Sequence, residues 1–340
     1  MNSREIALAT MELQPTPRPA VALLSGGCWT INRQGYALQD MLGKPELLAD
    51  LIVGSNVFAS SDIVWVGSGY HNLAISALGG EIKYRTKGPP DVKSNLLNSA
   101  DEVSRLDISR LEHDPMITTL LQATRLVSQR IGNRVLVGGS QWGPFTLTGH
   151  LLGVERVMRG VIKSPAEIHC VLSFAVDLTV AYLKLFHDAG AEVVSIAEPS
   201  ASGDLISREQ FRDFALPHLK NTIRQLKAYG AKVVVHICGN ITNWLDLLAD
   251  SGADLLSVDY KVDLAEVRRI LDGKMAFSGN LNPVAIMQQA TPEQVKEAAE
   301  QALSRAGKAP GHMLMPGCDI PPSVPLNNIR AMINSVDKRM

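Results

Sequence analysis

The chain has 340 residues, 46% of them hydrophobic, which is enough apolar material for a sizeable core and excludes global disorder. Lys and Arg number 33 against 34 Asp and Glu, a net charge of -1. That balance excludes a general electrostatic attraction to nucleic acid or to an acidic membrane surface.

Residues 1–19 read as an N-terminal helix and lead-in. They carry Arg4, Glu5 and Glu12 and three prolines, Pro15, Pro17 and Pro19. They lack the apolar core of a secretory leader, so a reducing cytoplasm is the expected location. No run approaches the roughly 18 to 20 apolar residues of a membrane span. The cysteines, Cys28, Cys170, Cys238 and Cys318, are too dispersed for a disulfide scaffold and are expected as thiols.

From there a short β-branched run followed by a helical stretch recurs. The runs are 21–24, 63–66, 134–137, 192–196, 232–236, 255–258, 275–278 and 312–315, eight in all. Near-continuous apolar strands alternating with helices indicate a parallel sheet covered on both faces. Eight such units predict a single α/β domain over 1–340, a (β/α)8 TIM barrel. A doubly wound open sheet is the structural alternative, but no G-x-G-x-x-G follows any strand. Residues 70–114, after the second run, are longer than one connection needs and read as an elaborated loop or hairpin region followed by a helix.

Helix signals punctuate the runs. Ser207 with Gln210, Thr291 with Gln294 and Asp263 with Glu266 read as capping boxes. Gly190, Gly230 and Gly252 read as helix stops. Residues 167–189 predict a long helix with a broad apolar face, with Cys170 in its core side. Cys28 reads as a loop-packing residue after Ser25-Gly26-Gly27.

The chemistry gathers at strand ends. His236-Ile237-Cys238 closes the fifth run, and residues two apart in a strand point to the same side. Cys318 closes the eighth run. In a barrel all strand C-termini open on one face, which holds the active site. One nitrogen and two sulfurs meeting there suit zinc, bound at about 2.0 to 2.3 Å. No local C-x-x-C knuckle completes a closed structural site, so an exchangeable fourth position is expected. Two thiolates neutralise Zn²⁺, which makes it poor at activating water and well suited to holding a substrate thiol as thiolate. Alkyl transfer to a zinc-bound thiolate is the natural inference. Glu198, after the fourth run, and Asp259, after the sixth, are candidate catalytic carboxylates. Asp259 is also a candidate labile fourth ligand. Asn280, with Asn282, closes the seventh run and either orients a substrate or caps the loop.

These residues also carry a family resemblance. The chain resembles the uroporphyrinogen decarboxylase superfamily over nearly its whole length, and within it the zinc-dependent methylcobamide:coenzyme M methyltransferase branch. The segments 143–153, 197–207 and 279–283 are similar to superfamily segments, and the H-x-C…C pattern of the branch matches His236, Cys238 and Cys318. The arginine-rich N-terminal segment of the decarboxylases has no counterpart in 24–36. The resemblance implies a barrel that moves a methyl group from a methylated corrinoid, a methylcobamide on a partner corrinoid protein, to a zinc-activated thiol such as coenzyme M. The mouth would then receive the corrinoid, and Tyr70 and His71 would line it. A cofactor-free decarboxylase and a non-catalytic corrinoid-binding accessory protein are the competing readings.

Overall fold

The computed structural model describes residues 1–23 and 27–336. Leu24, Ser25 and Gly26, which the sequence places at the first strand end and its turn, lie outside the described residues. The strands in chain order are β1 (Ala20–Val21), β2 (Ile63–Val66), β3 (Ile82–Lys83), β4 (Asp91–Val92), β5 (Leu136–Trp142), β6 (Val193–Ala197), β7 (Lys232–Ile237), β8 (Leu255–Val258), β9 (Ala276–Leu281) and β10 (His312–Pro316). Eight of them form one parallel sheet in the order β1-β10-β9-β8-β7-β6-β5-β2, while β3 and β4 pair antiparallel apart from it.

The two edges of that sheet meet, and the chain is a (β/α)8 barrel. Among the described residues, the seam between β1 and β2 is bridged by Asp62. The Asp62 amide donates to the Val21 carbonyl at 2.9 Å, and its carboxylate accepts the Val21 amide at 2.9 Å. Arg18 binds the same buried carboxylate through two nitrogens, at 2.7 and 2.8 Å. A charge-assisted fork of this kind satisfies a carboxylate that burial would otherwise penalise.

The helix Ser3–Met11 stops the N-terminal end of the barrel. Its Ile6, Ala7 and Met11 pack with Trp65, Leu136, Val193, Val234, Leu255, Ala276 and Met313 in one interior cluster. Trp65 takes so much of this space that a Cβ on Gly138 would lie 2.5 Å from its ring. By the two-residue period of strands, the next interior positions toward the mouth are Ser140, Ser195, His236, Ser257 and Ser278. An apolar floor therefore gives way to a hydroxyl-lined layer, and the fold spends its interior polarity at one end.

Several sequence expectations are corrected. The helix Pro165–Asp188 is long and apolar enough, by length and composition, to cross a membrane, contrary to the expectation that no run is. Its Leu172, Val176, Leu183 and Phe186 are buried against the barrel while Asp177 on the other side is exposed, so its apolarity is core packing. Cys170 of that helix is exposed and not core, because the buried stripe runs through Ile168, Val171 and Leu172 on either side of it. Cys28 is buried in a short helix, Gly27–Asn32, rather than in a loop. Asp263 caps its helix alone, accepting the Ala265 amide at 3.1 Å, while Glu266 is drawn to Arg269. The boxes at Ser207 and Thr291 are both complete. After β2, residues 70–114 hold a short helix Leu73–Ala77, the β3–β4 hairpin and two 3-10 helices, Ala100–Arg105 and Ile108–His113.

Candidate metal centre

His236 is the penultimate residue of β7 and points into the barrel, and Cys238 lies two residues on, at the mouth. Cys318 follows β10, which reaches β7 only because the sheet has closed. The three side chains converge. His236 Nε2 is 3.0 Å from Cys238 Sγ, Cys238 Sγ is 3.3 Å from Cys318 Sγ, and all three ligand atoms lie within 4.8 Å of one another. Among the described residues no other group of three or more His, Cys, Asp or Glu side chains converges in this way. Zinc bonded at 2.0–2.3 Å keeps tetrahedral ligand atoms about 3.5–3.8 Å apart. An outward shift of a few tenths of an ångström suffices to admit it.

The electrostatics match the donor chemistry. The hydrogen bond from Cys238, opposed by burial and aided by His236, pulls the Cys318 thiol well below its ordinary range. Cys238 is pushed up by that same hydrogen bond and by burial. Burial lowers the His236 pKa, but its contact with Cys318 outweighs this and the net shift is upward. Three buried lone pairs thus compete for protons at a point where a cation would satisfy all of them. His236 Nδ1 is fixed from behind by Ser257 Oγ at 3.1 Å, which leaves Nε2 aimed at the sulfurs.

The other sequence candidates fall around this trio. Asp259 is buried at the end of β8 and lies outside the converging group. Its carboxylate accepts the Gly239 amide and the Lys261 amide, each at 3.0 Å, and so it fixes the turn that carries Cys238. Asn280 donates its amide nitrogen to the carbonyls of Asp259 at 3.0 Å and Val262 at 2.6 Å, bracing that loop from β9. Glu198 is fully buried, and its two oxygens accept the amides of Phe145 at 2.9 Å and Thr146 at 2.8 Å. It therefore caps the helix Pro144–Leu152 from a neighbouring strand, in the space Gly143 leaves by having no Cβ. Burial, opposed by those amides, pushes its pKa up to about 7.

Tyr70 and His71 lie beyond β2, both buried. His71 Nε2 is 2.9 Å from Ser140 Oγ, and its ring sits 4.2 Å from that of Trp142. Burial first, then His150 and His236, push its pKa down to about 3, so it is neutral at pH 7. The Cys28 thiol stands beside Gly69, near Asp319. Sequence reasoning missed Ser257, Ser140 and Asp319. Ser257 was within reach of the two-residue period, since it precedes Asp259 by two as His236 precedes Cys238. Its pairing opposite His236 in the β7–β8 register was not.

A closed (β/α)8 barrel with a His, Cys, Cys donor set across its mouth is a barrel with a candidate metal site at the C-terminal face, where barrels of this kind carry their active sites. Residues 2–339 match the family model for uroporphyrinogen decarboxylase (URO-D), and the chain belongs to that family. It is 31% identical over 247 residues to a methylcobamide:CoM methyltransferase, MtbA, of Methanosarcina acetivorans, covering 73% of this chain and 71% of that one. It is 29% identical over 341 residues to a methylcobamide:CoM methyltransferase, MtaA, of Methanosarcina barkeri, covering 97% and 96%. A solved methyltransferase from Methanosarcina mazei superposes with a TM-score of 0.90 at 25% identity, over 99% of each chain.

Proposed function

We propose that this protein transfers a methyl group from a methylated corrinoid on a partner protein to a thiol such as coenzyme M, using zinc held by His236, Cys238 and Cys318. The observation that carries the reading is the convergence of those three ligand atoms within 4.8 Å at the mouth of the barrel. The names of the methyltransferase relatives support the reaction class. When bound, zinc lowers the acceptor thiol's pKa and keeps it a nucleophilic thiolate.

The chain's own residues do the positioning. Ser257 orients His236, and Asp259 and Asn280 hold the Cys238 turn at its place on the rim. The open side of the trio faces the mouth, where the corrinoid brings its methyl carbon. The sulfur–carbon bond forms as the cobalt–carbon bond breaks, with both electrons of the latter left on the corrinoid. Holding the two reactants in line supplies much of the acceleration. Glu198 acts here through the helix it caps. Two free thiols 3.3 Å apart also favour a reducing compartment, since oxidation would remove both ligands.

Metal analysis of protein purified without chelator is expected to give close to one zinc per chain. Loss of methylcobalamin absorbance should then depend on both zinc and an added thiol. Protein that takes up no zinc after reconstitution would reject the reading. Activity that survives zinc removal would point instead to a cofactor-free decarboxylase, and tight cobalamin binding without demethylation to an accessory protein.

A further inference from the structure

Two neighbouring helices on the outer wall of the barrel bring a second pair of imidazoles together. The helix Pro165–Asp188 carries His169 about one turn from its start, and the helix Leu216–Ala228 carries His218 in its first turn. His169 Nδ1 lies 3.1 Å from His218 Nε2. Both rings are half-buried, so solvent reaches the pair. Packing fixes the first of them: His169 stacks on Phe214 with ring centroids 4.7 Å apart and planes 10° from parallel. Phe214 sits in a π turn, Phe211–Ala215, just before Pro217. Pro217 has no amide to offer the Asp213 carbonyl, so a regular helical ladder cannot run through this point. Widened turns of this kind often accompany functional sites.

Two ring nitrogens this close are bridged by one proton or by one cation, because two protons between them would repel. The spacing suits a cation. An ion bonded to imidazole at about 2.0–2.1 Å holds two such donors about 2.9 Å apart at a right angle and about 3.4 Å apart in a tetrahedron. The 3.1 Å observed falls between these, so side-chain adjustment alone admits an ion. Each ring can keep its own proton on its other nitrogen. Burial, then the charge of His169, pushes the His218 pKa down to about 4, which leaves its lone pair available at pH 7. Asp213 lies close enough to His169 for their charges to attract. It is held by Arg212 at 2.7 Å and stands beside the pair rather than in it. Cys170 follows His169 directly, and residues one apart on a helix point about 100° apart, so the thiol does not join the pair.

We propose that His169 and His218 form a second metal site, on the outer wall and separate from the trio, for a divalent transition metal that favours imidazole, such as nickel, copper or zinc. Water completes the coordination. The ion ties together the helices that follow β5 and β6, two successive units of the barrel. Two protein donors hold an ion less firmly than three. This ion therefore exchanges freely and is distinct from the zinc expected to stay at the trio through purification.

The test uses the untagged 340-residue chain, loaded with zinc, and nickel as the probe. Equilibrium dialysis is expected to give one nickel per chain with the zinc retained, and nickel should raise the thermal midpoint by binding the folded state. His169→Gln and His218→Asn should each weaken nickel binding at least about tenfold, equivalent to ~1.4 kcal/mol, and abolish the midpoint shift. Cys170→Ser should change neither. X-ray absorption at the nickel edge of the wild type reads the neighbours of the ion without any variant, and imidazole nitrogen with no sulfur is expected. Nickel bound equally well by both histidine variants, sulfur bound to the nickel, or no uptake at about 1 mM nickel overturns the inference. None of these readouts involves methyl transfer, so their failure leaves the proposed function standing.

Discussion

Cys318→Ala is expected to abolish zinc retention and methyl transfer while leaving the fold intact. Losing even an outer partner of a metal ligand typically costs about 10–100-fold in affinity or activity. A direct ligand should therefore cost at least about a hundredfold in both, and the Ser257→Ala change, which frees His236 Nδ1, should fall within that smaller range. Cys318 is half-buried at the end of β10 and is not a member of either hydrophobic cluster, so its truncation leaves no large cavity. Zinc content by mass spectrometry under native conditions, far-UV dichroism and the methylcobalamin assay check the three parts. A variant that keeps stoichiometric zinc and full activity would remove Cys318 from the site.

The second large effect is expected at Glu198, and it depends on pH. Its carboxyl serves as the cap of the helix Pro144–Leu152 at a fully buried position. Glu198→Ala leaves two buried amides without acceptors and should destabilise the protein by about 3 kcal/mol. Glu198→Gln separates shape from charge. The folded-state pKa is raised by burial to about 7, from the ordinary carboxyl value of 4.5. A raised acid contributes its full stability below the unfolded pKa and loses it as pH climbs through the folded one. The wild type should therefore lose roughly 3 kcal/mol from this group between about pH 4.5 and 7, and Glu198→Gln should not. Urea unfolding of both proteins at pH 4.5, 6 and 7.5 measures it. A stability difference between them that stays constant with pH would show that Glu198 does not titrate in this window.

These two residues also show what could be read from the sequence. His236 and Cys238 were legible together because a strand repeats every two residues, and that spacing puts both on one side whatever surrounds them. Glu198 was legible as a strand-end carboxylate but not in its duty, because its partners Phe145 and Thr146 are more than fifty residues away and belong to the preceding unit. Asp259 is a parallel case. Its position at a strand end is local, while its grip on Gly239 comes from the lateral neighbour β7. Cys170 shows the reverse error: a helix with a broad apolar face has edges, and only the packing decides on which side of the edge a given residue falls.

The sequence by itself determined the strand and helix alternation, the number of barrel units, the absence of a net charge suited to polyanions, and the residue types of the candidate metal site. Each is a local or compositional property, set by periodicity, capping chemistry and side-chain count. Tertiary structure alone decided that Cys318 meets a pair 80 positions away, since that contact exists only once β10 closes beside β9 and the sheet curls back to bring its strand ends to one mouth. It also decided which hydroxyls turn inward. That depends on partners from other strands, so no stretch of chain contains it.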